Sequence, residues 1–341
     1  MVDYSYQTKA ADKILELSLS GQYIATILAA SPSSGKSTII IHFLNKFLAL
    51  YPDNRVVLFT HNLNNLKDQM LEGFSEGPVK PNFTFGEIGQ DTQVQVGVIS
   101  SGSKVVKNID LVIFDEAHQF YLENMANAVL DDLNPKYVVG MTGTPSFFNA
   151  FNKLNKSTKF GMHYISAEEL RDLGVFSAVT LDVAHGEGVE AKLNNALEKA
   201  KSWNMDLSKI IITTKNQLEA NMVGYLMRKK GRTVAVSTSS KDPDNKILKS
   251  YKNNEYDTLV VVNKGVLGFS DNTTTGLIDL RASADIDCRS QVFARVLRRH
   301  PKNIRKFYIS AIDKKNYNKE VKMLHSIVEL MERKNFISYT K

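Results

Sequence analysis

Cysteine is almost missing from this sequence, because only Cys288 occurs among its 341 residues. One cysteine excludes an internal disulfide and a zinc site made of cysteines, so we expect a reducing compartment. Long apolar runs are missing too: residues 23–30 form one of the longest, which is far short of a membrane span. The polar start over residues 1–5 does not resemble a signal peptide. We therefore expect a soluble, cytoplasmic protein with no membrane partner.

The sequence also lacks a strong charge of either sign. Lysine and arginine number 43 against 36 for aspartate and glutamate, which gives a formal net charge of +7. This modest excess attracts a polyanion without making the whole surface basic. No zinc finger, basic tail or aromatic-rich stacking surface is visible in the sequence, so a base-sequence preference is not expected. Composition therefore favours a nucleic-acid-binding protein only weakly, and stronger evidence on function must come from the motifs.

What the sequence does contain is a regular alternation of short β-branched runs with helical or loop-like stretches. This alternation is typical of a parallel sheet covered by helices. The runs are 24–28, 55–60, 94–99, 111–114 and 137–141 in the first part, and 179–183, 209–213, 233–237, 258–262, 275–280 and 307–311 in the second. We therefore predict an α/β fold of two tandem RecA-like lobes, each a mainly parallel sheet flanked by helices.

We place the first lobe at residues 1–150 and the second at 176–312. Between them, 151–175 begins with a stretch that is rich in asparagine and lysine, which indicates a linker. After the second lobe, apolar residues recur at helical spacing from Val321 to Met331. This pattern predicts that 313–341 contributes a C-terminal helix packed back on the second lobe.

A candidate phosphate-binding loop lies over residues 30–38, after the first predicted strand and before a helical run. Small residues let backbone N–H groups approach phosphate oxygens at a helix N-terminus, lysine supplies a mobile cation, and a hydroxyl can ligate magnesium. Ala30 stands where such loops usually have their first glycine. The predicted ATP-binding residues of this loop are Ser33, Ser34, Gly35, Lys36, Ser37 and Thr38.

Two adjacent carboxylates, Asp115 and Glu116, follow the apolar strand predicted at 111–114. Strand ends of this kind form the ligand crevice of parallel sheets. Asp115 can hold Mg²⁺ together with Ser37, and Glu116 can orient and deprotonate an attacking water. The alternative is that the two acids only start a solvated helix. Their combination with the phosphate loop favours a site for ATP and Mg²⁺.

With these motifs in order over nearly the whole chain, the sequence resembles superfamily 2 helicases of the DEAH-box or DExH-box type. The resemblance implies that His118, Thr142 and Thr144 couple the ATP site to the nucleic acid. Gln7 resembles the glutamine that reads the adenine edge in this family. The alternatives are a plain helix start at Gln7 and a strand-ending turn at 139–145.

The segment 290–298 resembles the sixth motif of the family, in which a glutamine is followed by arginines four and seven positions later. Helical spacing puts Gln291, Arg295 and Arg298 on neighbouring turns of one face. The resemblance implies that these residues are catalytic, because the always-charged fork of arginine stabilises a transferring phosphoryl group. The alternative is a basic, solvated helix.

Further contacts follow from the resemblance alone. Gly268 and Asp271 resemble ATP contacts of the fifth motif, although Ser270 interrupts the usual Gly-Phe-Asp pattern. Nucleic-acid contacts, which we expect to touch the backbone, are predicted at Thr60, Asn62, Ser100, Asn263 and Lys264.

The resemblance extends to compact phage-type DNA helicases, which implies a nucleic-acid-dependent ATPase acting on single-stranded, forked or branched DNA. A phage-encoded chain would work in the host cytoplasm, with replication or recombination proteins as further partners. Two alternatives stay open: an RNA helicase, and a motor or clamp subunit that needs a partner chain.

Overall fold

The computed structural model describes residues 3–60, 63–75, 77–86, 91–98, 108–117, 125–143, 160–238, 242, 245–262, 271–281, 285–302 and 304–332. Contacts divide this part of the chain into two compact units, Asp3–Ala167 and Glu168–Glu332. Each unit is built around a sheet of parallel strands.

The first unit alternates strands with helices. Its strands in the described ranges are β1 (Ala25–Ala30), β2 (Val56–Phe59), β3 (Phe83–Phe85), β4 (Val94–Gly97), β5 (Leu111–Phe114), β6 (Tyr137–Thr142) and β7 (Phe160–Ile165). Its helices there are α1 (Ser5–Leu19), α2 (Lys36–Leu50), α3 (Leu63–Ser75) and α4 (Met125–Leu133). The strands form one sheet in the order β3-β4-β2-β5-β6-β1-β7, with parallel neighbours throughout.

The core of this sheet follows from nearly uninterrupted apolar strands. Every residue of β1, β2 and β5 is buried, as expected for parallel strands that helices cover on both faces. Phe59 and Phe114, which are register partners on β2 and β5, stack with ring centroids 5.6 Å apart. The central strands are thus tightly packed close to their carboxyl ends.

The second unit has the same construction. Its strands in the described ranges are β8 (Val179–His185), β9 (Ile210–Thr214), β10 (Val234–Ser237), β11 (Thr258–Val262), β12 (Gly276–Asp279) and β13 (Lys306–Ile312). The helices are α5 (Ala167–Asp172), which starts at the division, then α6 (Gly188–Ser202), α7 (Gln217–Lys229), α8 (Lys246–Lys252), α9 (Ile286–Phe293) and α10 (Tyr317–Glu332). The sheet order is β10-β11-β9-β12-β13-β8, again all parallel.

The predicted fold class is confirmed, because both units are parallel sheets flanked by helices. At the end of the described chain, α10 packs against β8 and α9 of the second unit. None of the helices in the described ranges is both long and apolar enough to cross a membrane.

The segment 151–175, for which the sequence predicted a linker, contains regular structure. Within it, β7 pairs with β1 along its whole length, α5 follows, and the two units divide between Ala167 and Glu168. The β7 sequence mixes aromatic, small and polar residues and most of its residues are only half-buried, because it is the last strand of its sheet. An edge strand of this kind does not produce the apolar run that marks a central strand.

Candidate nucleotide site and arginine segment

The carboxyl ends of four neighbouring strands bring the predicted ATP residues of the first unit together. β2, β5, β6 and β1 are adjacent and parallel, so they end at the same edge of the sheet. The residues directly after these strands are Thr60, Asp115, Gly143 and Ser31. Four distant parts of the sequence therefore meet at the edge where parallel sheets bind ligands.

The loop between β1 and α2 turns sharply at two positions. Ser33 has φ 69° and Gly35 has φ 82°, both in the left-handed region. α2 begins at Lys36 with Gly35 as its N-cap, and the N–H groups of the first helical turn have no partner within the helix. These N–H groups and the positive end of the helix dipole favour an anion such as phosphate.

The start of α1 lies against this loop. The Tyr6 hydroxyl donates a hydrogen bond to the Ser34 carbonyl oxygen, and Gln7 Nε2 lies 3.4 Å from the Tyr6 hydroxyl. A Cβ added at Gly35 would stand 2.5 Å from Gln7 Nε2. The left-handed backbone therefore favours glycine at position 35, and a side chain there would also push the end of Gln7 aside. The structure places Gln7 beside the phosphate loop, while its contact with adenine stays a prediction.

The amine of Lys36 points toward the end of β6. A Cβ added at Gly143 would stand 2.6 Å from Lys36 Nζ and 3.1 Å from the Ala30 carbonyl oxygen. The charge of Lys36 is also close enough to Asp115 to act against the rise in the pKa of that carboxyl. Lys36 thus stands among the loop, the end of β6 and the carboxylate that follows β5.

Asp115 is the electrostatic centre of this cluster. Burial, together with the neighbouring charge of Glu116, raises the pKa of Asp115 to about 6, against the opposing effects of Lys36 and Thr60. Thr60 Oγ1 donates a 3.0 Å hydrogen bond to Asp115 Oδ2. Because burial makes the carboxylate charge costly, a cation bound beside Asp115 would stabilise that charge.

Glu116 adopts a backbone conformation that is rare for its residue type. Its φ is 53°, in the left-handed region, and its N–H donates a 3.1 Å hydrogen bond to Asp115 Oδ1. A conformation of this kind costs on the order of 1 kcal/mol and is concentrated at functional sites. The chain therefore turns sharply at the carboxylate pair.

The residues at this edge fit ATP with Mg²⁺. Ser34 is 1% exposed, and its Oγ has no hydrogen-bond partner within the described part of the chain, so this buried hydroxyl is available to a bound ligand. Lys36 and the start of α2 supply positive charge. Ser37 and Asp115 supply the hydroxyl and carboxylate oxygens that Mg²⁺ prefers. Thr38 is exposed on the first turn of α2, and its contact with the nucleotide stays a prediction.

Two other predicted residues are buried. Thr60 is 1% exposed and its hydroxyl is bonded to Asp115, so the structure places it in the carboxylate cluster rather than on a surface that could face nucleic acid. Thr142 is 0% exposed at the end of β6, paired with Ala29 of β1. Its position beside the phosphate loop suits the predicted coupling role, which stays a prediction.

Gln291, Arg295 and Arg298 do not share one helix. α9 carries Gln291 and ends at Phe293, and a 3-10 helix over Ala294–Val296 carries Arg295. Arg298 lies beyond both elements. The 3-10 helix that carries Arg295 continues directly from α9, but the expected helix ends before Arg298.

The departure from helical structure has its cause in the segment that precedes β8. Phe176 forms an antiparallel bridge with Arg298, and the Ser177 N–H donates a 2.7 Å hydrogen bond to the Leu297 carbonyl oxygen. These bonds between segments replace the i to i−4 bonds that would continue the helix. The side chains of all three predicted residues remain half-buried, so each is still partly accessible.

The predicted ATP contact at Asp271 is not supported by its surroundings. Asp271 is 6% exposed. One carboxylate oxygen pairs with Lys209 Nζ at 2.8 Å, and the other accepts the Thr273 N–H at 2.9 Å. The acidic charge is thus neutralised inside the second unit, and we withdraw Asp271 as an ATP contact. The remaining predicted residues lie outside the described ranges: Asn62, Ser100, His118, Thr144, Asn263, Lys264 and Gly268.

The structure adds two residues to the candidate site. Tyr6 holds the phosphate loop through the Ser34 carbonyl, and Gly143 allows the close approach of Lys36. Both adjoin residues that the motifs had singled out, Gln7 and Thr142. Both positions lie inside the motif segments, but the sequence assigned neither a role, and only the contacts of α1 and β6 with the loop show what they do.

The first unit is similar to one known protein family. Residues 1–147 match a protein family described as type III restriction enzyme, res subunit. No curated protein matches the sequence.

Several solved structures resemble the chain over most of its length. Dbp5 of S. cerevisiae bound to RNA and ADP BeF3 aligns with a TM-score of 0.69 at 14% identity, over 95% of this chain and 88% of that chain. A fragment of a putative HsdR subunit of a type I restriction enzyme from Vibrio vulnificus YJ016 aligns with a TM-score of 0.67 at 16% identity, over 93% of this chain and 66% of that chain. The DUF1998 helicase MrfA bound to DNA aligns with a TM-score of 0.71 at 11% identity, over 97% of this chain and 52% of that chain.

At identities of 11 to 16%, these likenesses establish the fold. The chain has the same tandem RecA-like fold, with two parallel sheets that are each flanked by helices. The similar structures include a DEAD-box protein, a restriction subunit and a DNA-bound helicase, so the fold does not single out one subtype.

Proposed function

We propose that the chain is an ATP-driven motor that moves on, or remodels, single-stranded, forked or branched DNA. The observation that carries this proposal is the convergence of Lys36, Asp115 and Glu116 beside the left-handed phosphate loop. A cradle for phosphate, oxygen ligands for Mg²⁺ and a carboxylate for water are the groups that phosphoryl transfer to water requires. The superfamily 2 fold supports the same conclusion.

In this proposal the phosphate loop and Lys36 bind the β- and γ-phosphates of ATP. Ser37 and Asp115 hold Mg²⁺, which when bound neutralises charge on the phosphate oxygens. Glu116 orients the attacking water and accepts its proton. Gln7 contacts the base, and His118, Thr142 and Thr144 transmit the state of the ATP site.

Arg295 and Arg298 supply fixed positive charge to the transferring phosphoryl group, and Gln291 assists them. Because these three residues belong to the second unit while Lys36 and Glu116 belong to the first, fast hydrolysis needs both units. A motor can use this requirement to link each turnover to a change in its grip on DNA. Asn62, Ser100, Asn263 and Lys264 are proposed to form that grip through the DNA backbone.

DNA is the proposed nucleic-acid substrate because one structural relative is a helicase bound to DNA, and the first unit matches a restriction-enzyme subunit family. RNA is the second candidate, since Dbp5 is described as bound to RNA. A motor or clamp that needs a partner chain is the third, because both restriction-enzyme relatives are described as subunits.

The test is steady-state ATP hydrolysis by the purified chain with no nucleic acid, with single-stranded DNA, with forked DNA and with RNA. We expect DNA to raise turnover about tenfold or more, and RNA to raise it less. A strand-separation assay on forked DNA, run in parallel, tells an independent helicase from a subunit that needs a partner.

Glu116→Gln is the matched control, because it keeps the size and shape of the side chain while it removes the base. We expect this variant to bind ATP and to hydrolyse it at least about a hundredfold more slowly. If RNA stimulates the chain and DNA does not, the RNA alternative replaces the DNA proposal. If no nucleic acid changes the rate, the clamp or subunit alternative replaces it.

A further inference from the structure

The second unit contains a buried group of charges that the proposed chemistry does not use. Asp279 ends β12 and Arg289 lies on α9, and both side chains are 0% exposed, with Arg289 Nε 3.4 Å from Asp279 Oδ2. Arg289 Nη2 pairs with Glu320 of α10 and donates a 3.0 Å hydrogen bond to Ser310 Oγ of β13. One guanidinium group therefore joins α9 to β12, β13 and α10.

Asp279 fixes this group to the centre of the sheet. It accepts hydrogen bonds from Thr213 Oγ1 of β9 at 2.5 Å and from the Tyr308 hydroxyl of β13 at 2.9 Å. Arg281 Nε donates a further bond at 3.1 Å. Burial acts to raise the pKa of Asp279, but the charges of Arg289 and Arg281 hold it at about 2. The carboxylate is thus ionised at neutral pH and attracts the Arg289 guanidinium group, while Arg289 Nη2 makes the directional, charge-assisted contacts with Glu320 and Ser310.

The position of Arg289 on α9 determines where Gln291 points. Residues two positions apart on an α-helix, such as Arg289 and Gln291, are separated by about 200° of rotation, so they lie on nearly opposite faces. Arg289 is drawn inward to Asp279, Glu320 and Ser310, and Gln291 is therefore turned away from the sheet, where it is half-buried. The 3-10 helix over Ala294–Val296 follows directly after α9, so its orientation depends on the same anchor.

Apolar packing alone would hold this helix less specifically. Phe293 packs edge-on against Tyr308 with ring centroids 5.5 Å apart, but apolar contacts are non-directional and tolerate small shifts. Groups that stabilise a transition state must be held to within roughly 0.5 Å. A guanidinium group that pairs with carboxylates on two different elements, and is hydrogen-bonded through Nη2, restricts the helix more than apolar packing does.

We propose that Arg289, held by Asp279 and Glu320, is the positioning residue that sets the direction of Gln291 and of the 3-10 helix that carries Arg295. Arg289 touches no substrate in this account and acts through the residues that follow it. The kinetic consequence rests on the proposed ATPase function, whereas the structural consequence does not.

The decisive variant is the double substitution Arg289→Met with Glu320→Met. The single change Arg289→Met would leave buried carboxylates short of a partner and destabilise the fold, whereas replacing the pair by apolar side chains is often neutral for stability. Asp279 keeps Arg281 as its partner in the double variant. We expect a thermal midpoint close to that of the unmodified chain, a KM for ATP within about twofold, and a kcat at least about tenfold lower.

Two further variants separate positioning from stability. Lys209→Gln removes a different buried ion pair of the second unit, the 2.8 Å pair with Asp271, so it should lower the thermal midpoint and leave kcat within about twofold. Arg289→Lys keeps the charge but loses the planar fork. We expect its kcat to lie between those of the unmodified chain and the double variant.

Hydrogen exchange of the amides of residues 290–299 gives a second readout that needs no ATP turnover. We expect faster exchange there in the double variant and no change in Lys209→Gln. If the unmodified chain hydrolyses no ATP, the proposed function fails, and exchange alone decides whether Arg289 positions the segment. Unchanged exchange would overturn the positioning role. An unchanged kcat in an active chain would overturn it as well, even if exchange became faster.

Discussion

Two glycines of the first unit share a left-handed backbone but have opposite surroundings. Gly35 has φ 82° and lies against Gln7, whereas a Cβ added at Gly21, with φ 67°, would meet nothing within 4 Å. Alanine at either position costs about 1 kcal/mol because L side chains disfavour this conformation. Only at position 35, inside the phosphate loop, would the added methyl group also push aside the end of the Gln7 side chain.

Gly35→Ala should therefore weaken the binding of ATP with Mg²⁺ by about tenfold or more, because the loop loses the shape that aims its N–H groups at phosphate. Gly21→Ala is the control, with a similar loss of stability and unchanged ATP affinity. Fluorescence anisotropy of a labelled ATP analogue and thermal unfolding measure the two effects separately. Equal ATP affinity in both variants would show that the loop geometry does not serve ATP.

Residue types at motif spacing predicted Lys36, Asp115 and Glu116, because the chemistry of ATP hydrolysis requires those types. The setting of Thr60 could not be predicted in the same way. A polar residue after an apolar strand usually marks a surface, and only the pairing of β2 with β5 shows that Thr60 is buried against Asp115. Burial of a single polar side chain depends on contacts that are distant in sequence.

At the scale of elements, prediction succeeded where strands are buried on both faces. β5 and β11 have the predicted bounds, because β5 is an uninterrupted apolar run and β11 is apolar after its first residue, Thr258. β7 was missed because its sequence mixes polar, small and aromatic residues, most of which are only half-buried. The segment 290–298 was predicted as one helix because its spacing is helical, but hydrogen bonds with the distant segment that precedes β8 end the helix early. Local periodicity could not reveal that partner.

The charge network around α9 should make the stability of the second unit depend on acidic pH. The folded-state pKa of Asp279 is about 2, against an ordinary value of 3.8. A carboxyl with a lowered pKa contributes stability above its unfolded pKa and loses it as the pH falls through the folded pKa. The ionised carboxylate therefore contributes roughly 2 kcal/mol at neutral pH, which is lost between about pH 4 and pH 2.

Asp279→Asn isolates this contribution from the other titrating groups. The difference in unfolding free energy between the unmodified chain and the variant, measured by urea unfolding, should be large at pH 7 and shrink as the pH falls below about 4. A difference that stays constant across this range would show that the charge of Asp279 does not stabilise the fold.

At the scale of the whole molecule, a net charge of +7 is too small to bind nucleic acid by bulk attraction alone. Specific phosphate contacts should therefore provide most of the affinity. We expect DNA affinity to fall by about tenfold or more between roughly 50 and 200 mM salt, and to vary little with base sequence. Anisotropy titrations with labelled oligonucleotides of different sequence measure both effects, and an affinity that is insensitive to salt would exclude a phosphate grip.

The central claim is that the ATP site and the grip on DNA are coupled. The most direct test is the affinity of the Glu116→Gln variant for single-stranded DNA, measured with and without saturating ATP and Mg²⁺. The account predicts that ATP changes this affinity by about fivefold or more, a coupling of at least about 1 kcal/mol. If the variant binds ATP and its affinity for DNA stays the same, the two sites are independent and the chain is not an ATP-driven DNA motor.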